Sequence, residues 1–114
     1  MTDLLSKKCV PCEGGTAPLS TEEITKLKHE IPKWSVAGDE KSISREFKFE
    51  DFVTAVVFIT DVAHVAEEEG HHPDLNLHDY KFVTVTLSTH AIHGLSENDF
   101  IMAAKIDVVY NDCV

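Results

Sequence analysis

Apolar and polar residues change their period several times along the chain, and each change marks an element. Ile24, Leu27 and Ile31 recur at the spacing that lines one face of a helix. Ser20 and Glu23 form a capping box at its start, with Leu19 and Ile24 placed as a hydrophobic staple. Pro32 ends it, because the residue before a proline is pushed out of the helical region. Trp34 to Val36 and Ile43 to Phe49, separated by Gly38-Asp39, predict a hairpin whose inward positions are Ile43, Phe47 and Phe49. From Asp51 to Glu69 nothing breaks the chain, and Phe52, Val56, Ile59, Ala63 and Ala66 fall at helical spacing. The many β-branched residues here favour a strand. The segment is nevertheless too long for an ordinary strand, and Gly70 suits the position just beyond a helix C-terminus, so one long helix is predicted.

Beyond His71-His72-Pro73, Leu75 to Leu77 and Tyr80 to Thr89 predict a second hairpin that turns near His78-Asp79. In its longer arm Val83, Val85 and Leu87 alternate with Thr84, Thr86 and Ser88, giving one apolar face and one small, polar face. Ser96 and Asp99, with Leu95 and Phe100 as staple, start a last helix expected to run to about Val109. The order αββαββα defines an α+β fold class: a four-stranded, mainly antiparallel sheet with three helices on one face. Pairing with a second copy would satisfy the open sheet edges, so a homo-oligomer is expected. Residues 1–18, with Pro11, Gly14, Gly15 and Pro18, lack any period and read as an extended N-terminal arm, leaving 19–114 as a single domain.

Composition narrows the choice of partner. Hydrophobic residues at 43% and charged residues at 26% lie in the range of an ordinary folded domain. Twenty acidic against ten basic residues leave a net charge of −10 with no cationic run. That balance disfavours direct nucleic-acid binding, an anionic membrane surface and polyphosphate substrates, and a neutral or weakly polar small molecule fits better. No apolar run approaches the roughly 20 residues of a membrane span. Met1 to Cys12 has no apolar centre of the kind a secretory signal carries, so a cytoplasmic location is expected. Cys9, Cys12 and Cys113 are odd in number and sit at the two ends, which does not suggest a disulfide framework.

Five of the seven histidines, His71, His72, His78, His90 and His93, fall between residues 71 and 93, at element boundaries rather than inside apolar runs. Loops at the ends of rigid elements commonly present catalytic side chains, and imidazole is suited to proton transfer near neutral pH. A single histidine in a surface loop is ordinary; the cluster is less so. Metal binding is the competing use, but adjacent His71-His72 cannot easily chelate one ion together. No His-Glu-x-x-His helix occurs, and Cys9-x-x-Cys12 has no matching second pair, so no metal is expected. That Cys pair also neither follows a strand nor opens a helix, as thioredoxin-like chemistry requires.

Glu67-x-x-x-His71-His72-Pro73, Tyr80, Leu87-Ser88-Thr89-His90 and Gly94-Leu95-Ser96-x-x-Asp99, in this order and spacing, resemble the signature of the pterin-4a-carbinolamine dehydratases. The likeness runs from about Cys9 to Val109. It takes in the Cys-x-x-Cys-x-Gly-Gly arm, Trp34 and the Phe47-x-Phe49-x-x-Phe52 run, with Ala17 replacing a frequent second proline. The resemblance implies an αββαββα fold forming homodimers, often homotetramers, by extending its sheet between subunits. It also implies dehydration of the 4a-carbinolamine left by aromatic amino-acid hydroxylases, giving the quinonoid dihydropterin without metal or organic cofactor. Carried over by position, His71, His72 and His90 are the active-site histidines. Pro73 and the segment Thr89, His90, Ala91 and Ile92 line the pterin pocket, and Trp34 and Asp99 lie at or near it.

Such an elimination needs one group to protonate the departing hydroxyl and another to take the N5 proton, roles that imidazoles can share. Asp99 is expected to orient His90, or to serve as the third residue of its capping box. Glu67 is expected at the solvated surface, and Trp34 in the core or as a platform for the ligand. An alternative role is also implied, because some relatives act as dimerisation partners of a transcription factor or assist assembly of a larger enzyme. On that reading the chain is a non-catalytic binding protein.

Overall fold

A computed structural model describes residues 4–10 and 17–113; the expectations for Pro11, Cys12, Gly14 and Gly15 lie outside the described residues. Helix α1 spans Thr21–Lys28. The Ser20 hydroxyl accepts the Glu23 N–H at 3.2 Å and the Glu23 carboxylate accepts the Ser20 N–H at 2.9 Å, which completes the capping box. The helix ends at Lys28, before rather than at Pro32. Glu30 and Ile31 then donate to the Leu27 and Lys28 carbonyls at 3.1 and 3.0 Å, a tighter winding that still delivers Ile31 to the core.

Strands β1 (Ser35–Val36), β2 (Ile43–Lys48), β3 (Asp74–His78) and β4 (Phe82–Leu87) form one antiparallel sheet in the order β1-β2-β4-β3. Ile43 stands opposite Leu87 and Phe47 opposite Val83, so with Val85 they share one face, and all five are buried against the helices. Ser44, Glu46, Thr84 and Thr86 lie on the other face, as the alternation predicted. The second hairpin turns over Asp79–Lys81, beside the expected His78-Asp79, with His78 itself still in the strand. His78 pairs with Phe82, and Asp79 and Tyr80 adopt φ of 48° and 55°. That turn needs two left-handed residues, yet the sequence offers no glycine there to announce it.

Helix α2 (Phe52–Glu69) is closed at both ends. The Asp51 carboxylate accepts the Thr54 N–H at 2.8 Å, and Gly70, at φ 67°, makes the left-handed turn that a side chain would strain. Its buried face is Ala55, Phe58, Val62 and Ala66; of the predicted stripe, Ala66 is buried and Ile59 packs partly buried on the core, whereas Phe52, Val56 and Ala63 are exposed. Helix α3 (Glu97–Cys113) runs through the core, with every residue from Asn98 to Ala104 buried. It continues past Val109 because Tyr110 packs on Phe47 and Phe49, at 4.9 and 5.3 Å between ring centres, and its hydroxyl donates to the Lys48 carbonyl at 2.8 Å. Within the arm, where no regular element was expected, Leu4–Ser6 forms one turn of 3-10 helix. Leu4 enters the core, and its N–H donates to Glu30 at 3.2 Å. No described helix is long and apolar enough to cross a membrane.

Candidate active site

Two junctions bring the site together. The chain leaving α2 through Gly70 presents His71 and His72 before β3 begins, while β4 ends at Leu87 and runs into a 3-10 turn, His90–Ile92. That second junction is tied at its base: the Thr89 N–H donates to the Gly94 carbonyl at 2.9 Å, and Gly94 returns the bond at 3.4 Å. A Cβ on Gly94 would come within 2.8 Å of the Pro18 ring, so this position cannot carry a side chain without something moving. His93 completes the turn in the left-handed region, at φ 53°.

A cavity of about 400 Å³ lies between the junctions, within the size range of small-molecule sites. It is lined by Gly70, His71 and His72 from the first junction, by Ser88 to Ala91 from the second, and by Val10 and Asn98. The three expected histidines therefore meet around one space. Thr89 and Ala91 also face it, whereas Ile92 turns into the interior and Pro73 does not line the cavity.

Asp99 is the buried centre of the arrangement, fully enclosed with no exposed side-chain surface. Its Oδ1 accepts from His71 Nε2 at 2.6 Å, and its Oδ2 accepts the Thr89 hydroxyl at 2.8 Å and the Ser96 N–H at 3.0 Å. An ionised carboxylate can only accept, so His71 carries a proton on Nε2 and the neutral ring keeps Nδ1 as its acceptor. Thr89 spends its own proton on Asp99, so the Ser96 hydroxyl must donate in the 2.7 Å contact between Ser96 and Thr89. The expected partnership of Asp99 with His90 is thus corrected to one with His71. The two uses weighed for Asp99 also coexist, one oxygen serving the histidine and the other the start of α3.

His72 lies further out. Its Nε2 meets the Glu67 carboxylate at 2.5 Å, with both side chains mostly exposed; a pair so open to solvent orients the ring more than it stabilises the fold. His90 is exposed on its turn. Trp34 is not brought to this cavity: it is buried against Phe47, and its indole N–H donates to Asp107 at 2.8 Å. Among the described residues, no three His, Cys, Asp or Glu side chains are grouped so as to hold a metal ion.

Val10, Ser88 and Asn98 were not anticipated in the cavity wall, and neither was the support behind it. Glu69, the last residue of α2, has a nearly enclosed side chain that accepts from Lys105 Nζ and from the Cys9 N–H, both at 2.8 Å. Burial alone would raise its carboxyl, but these two bonds and the Lys105 charge outweigh that and hold it below the usual range. Burial, reinforced by the Glu69 charge, pushes the Cys9 thiol up to about 12. Three consecutive glutamates at a helix end read alike in sequence, so nothing there distinguished Glu69 from Glu67.

Fold and site define a class: an α+β protein whose histidines, one backed by a buried carboxylate, surround a cavity of ligand size. The family model for pterin 4 alpha carbinolamine dehydratase matches residues 17–109, and the chain belongs to that family. It is 45% identical over 106 residues to a Halorhodospira halophila protein, covering 93% of this chain and 96% of the relative. It is 46% identical over 108 residues to one from Nitrosospira multiformis, covering 95% and 93%. Each relative is provisionally named a pterin-4-alpha-carbinolamine dehydratase. Among solved structures, a transcriptional coactivator/pterin dehydratase from Brucella melitensis superposes with a TM-score of 0.76 at 34% identity, over 82% of this chain and 98% of that one. A pterin dehydratase-like protein identified as a RuBisCO assembly factor in the alpha-carboxysome shares the fold at a TM-score of 0.59 and 24% identity, over 72% and 94%.

Proposed function

We propose that the protein is a hydro-lyase that converts a 4a-hydroxytetrahydropterin to the quinonoid dihydropterin and water. The observation that carries this reading is the buried Asp99–His71 pair opening on a cavity that His72 and His90 share. In the reaction the C4a–O bond breaks, N5 loses its proton, a C4a=N5 bond forms, and the hydroxyl leaves as water. His71, held by Asp99 with Nδ1 as its acceptor, takes the N5 proton; His90, from the second junction, protonates the leaving hydroxyl. His72 and the Thr89 to Ala91 backbone position the ring. Proton transfer suffices for this elimination, so the reading calls for no cofactor. The substrate is what an aromatic amino-acid hydroxylase leaves behind, which gives the enzyme a recycling role.

The test is the rate at which freshly generated 4a-hydroxytetrahydropterin dehydrates, followed by absorbance. Wild type should exceed the spontaneous rate, and His71→Ala or His90→Ala should lower kcat by roughly 10²-fold or more while remaining folded. No acceleration by wild type would overturn the catalytic reading. A second reading, a coactivator role, draws support from the Brucella melitensis protein, which is named both a transcriptional coactivator and a pterin dehydratase. Rescue of a deletion phenotype by a variant lacking the three histidines would favour it, and failure of that rescue would count against it.

A further inference from the structure

Val10 and Asn98 also line the cavity, and the proposed reaction uses neither. Asn98 is 4% exposed, and its amide engages both backbone groups of Val10: Oδ1 accepts the N–H at 3.0 Å and Nδ2 donates to the carbonyl at 2.5 Å. One residue earlier, the Cys9 N–H is held by Glu69, and the Cys9 thiol lies 3.6 Å from the Asn98 carbonyl. A piece of chain outside any helix or strand is thus fixed at successive residues by side chains from the end of α2 and the start of α3. The clasp sets Val10, an apolar residue with 64% of its surface open, in the lining of the same cavity as the histidines. Asn98 immediately precedes Asp99, so the first turn of α3 holds both His71 and Val10.

We propose that Asn98 is a positioning residue that holds Val10 as an apolar wall for the pterin ring, so the N-terminal arm contributes to substrate affinity. The inference rests on the pterin reading above. A wall contacts substrate and transition state alike, so losing it weakens binding without slowing the bound complex. An aspartate at 98 would keep the acceptor for the Val10 N–H but lose the donor to its carbonyl, so the amide itself is required.

The experiment measures kcat and KM with 4a-hydroxytetrahydropterin, and Kd for a stable 7,8-dihydropterin, in wild type, Asn98→Ala and Val10→Ala. Asn98→Ala should raise KM and Kd by roughly tenfold with kcat within about twofold, and Val10→Ala should raise both by roughly threefold. Because the Val10 side chain is mostly exposed, its variant keeps the fold and decides the matter even if Asn98→Ala does not fold. Unchanged KM and Kd in both variants, or a fall in kcat alone, would overturn the role of the arm while leaving the pterin site intact. A wild-type protein that neither binds the dihydropterin nor accelerates dehydration would instead overturn the pterin reading, and this inference with it.

Discussion

At the scale of single residues, the site turns on what a carboxylate can accept. Asp99 takes three hydrogen bonds while fully buried, and none of its donors can be replaced by water from outside. Asp99→Asn puts an NH2 where one of those donors points, so at least one bond must break or reverse. If the amide nitrogen faces His71, the ring must offer an acceptor there and Nδ1 takes the proton, which removes the base. The expected result is a loss of kcat of about 10²-fold with KM little changed, read in the dehydration assay; a variant as active as wild type would show that the pair is structural. The histidines themselves were legible in sequence as a cluster at element boundaries. Their partners were not, because 28 residues separate His71 from Asp99 and no local rule links a loop histidine to the first turn of a later helix.

Elements explain where the sequence pattern held and where it slipped. The capping box of α1, the alternation of β4 and the Gly70 stop of α2 rest on local chemistry, and the fold reproduces all three. The buried face of α2 depends instead on which apolar residues meet the sheet. That helix is apolar on several sides, so more than one stripe fits a helical period; Phe58 wins because it packs on Phe47 and Phe49, at 4.9 and 5.0 Å. The C-terminal end of α2 has a further task, holding the arm through Glu69. Its carboxyl lies below the ordinary 4.5 in the folded protein, so the linked stability is present above 4.5 and is lost as pH falls through the lower, folded value. Glu69→Gln should cost about 1–3 kcal/mol at neutral pH, since Lys105 loses its carboxylate. It should also flatten the acid side of a plot of melting temperature against pH; an unchanged acid limb would separate arm docking from this ionisation.

At the scale of the whole molecule, the order β1-β2-β4-β3 leaves β1 and β3 as the two edges of the sheet. β1 is two residues long and offers little to pair with, whereas β3 is five residues long and has no proline to block pairing. Phe52, Val53, Val56 and Val57 add an exposed apolar stripe on α2, between 40% and 69% open. Both features favour association with a second copy, and the charge of −10 on each protomer opposes it, since a dimer would carry twice that. Short-range edge pairing and apolar burial are little affected by salt, but repulsion between exposed charges is screened beyond about 8 Å at physiological ionic strength. The assembly should therefore tighten as salt rises. Light scattering at micromolar concentration should give a multiple of 12.7 kDa at about 0.15 M salt, with the dissociated fraction growing on dilution into low salt. A Val53→Glu, Val57→Glu double variant separates the two surfaces. If the stripe joins protomers, the mass falls by a step while melting remains cooperative; if the β3 edge alone joins them, the mass is unchanged. A monomer even at high salt, where the repulsion is screened, would mean that neither the open edge nor the stripe joins two copies.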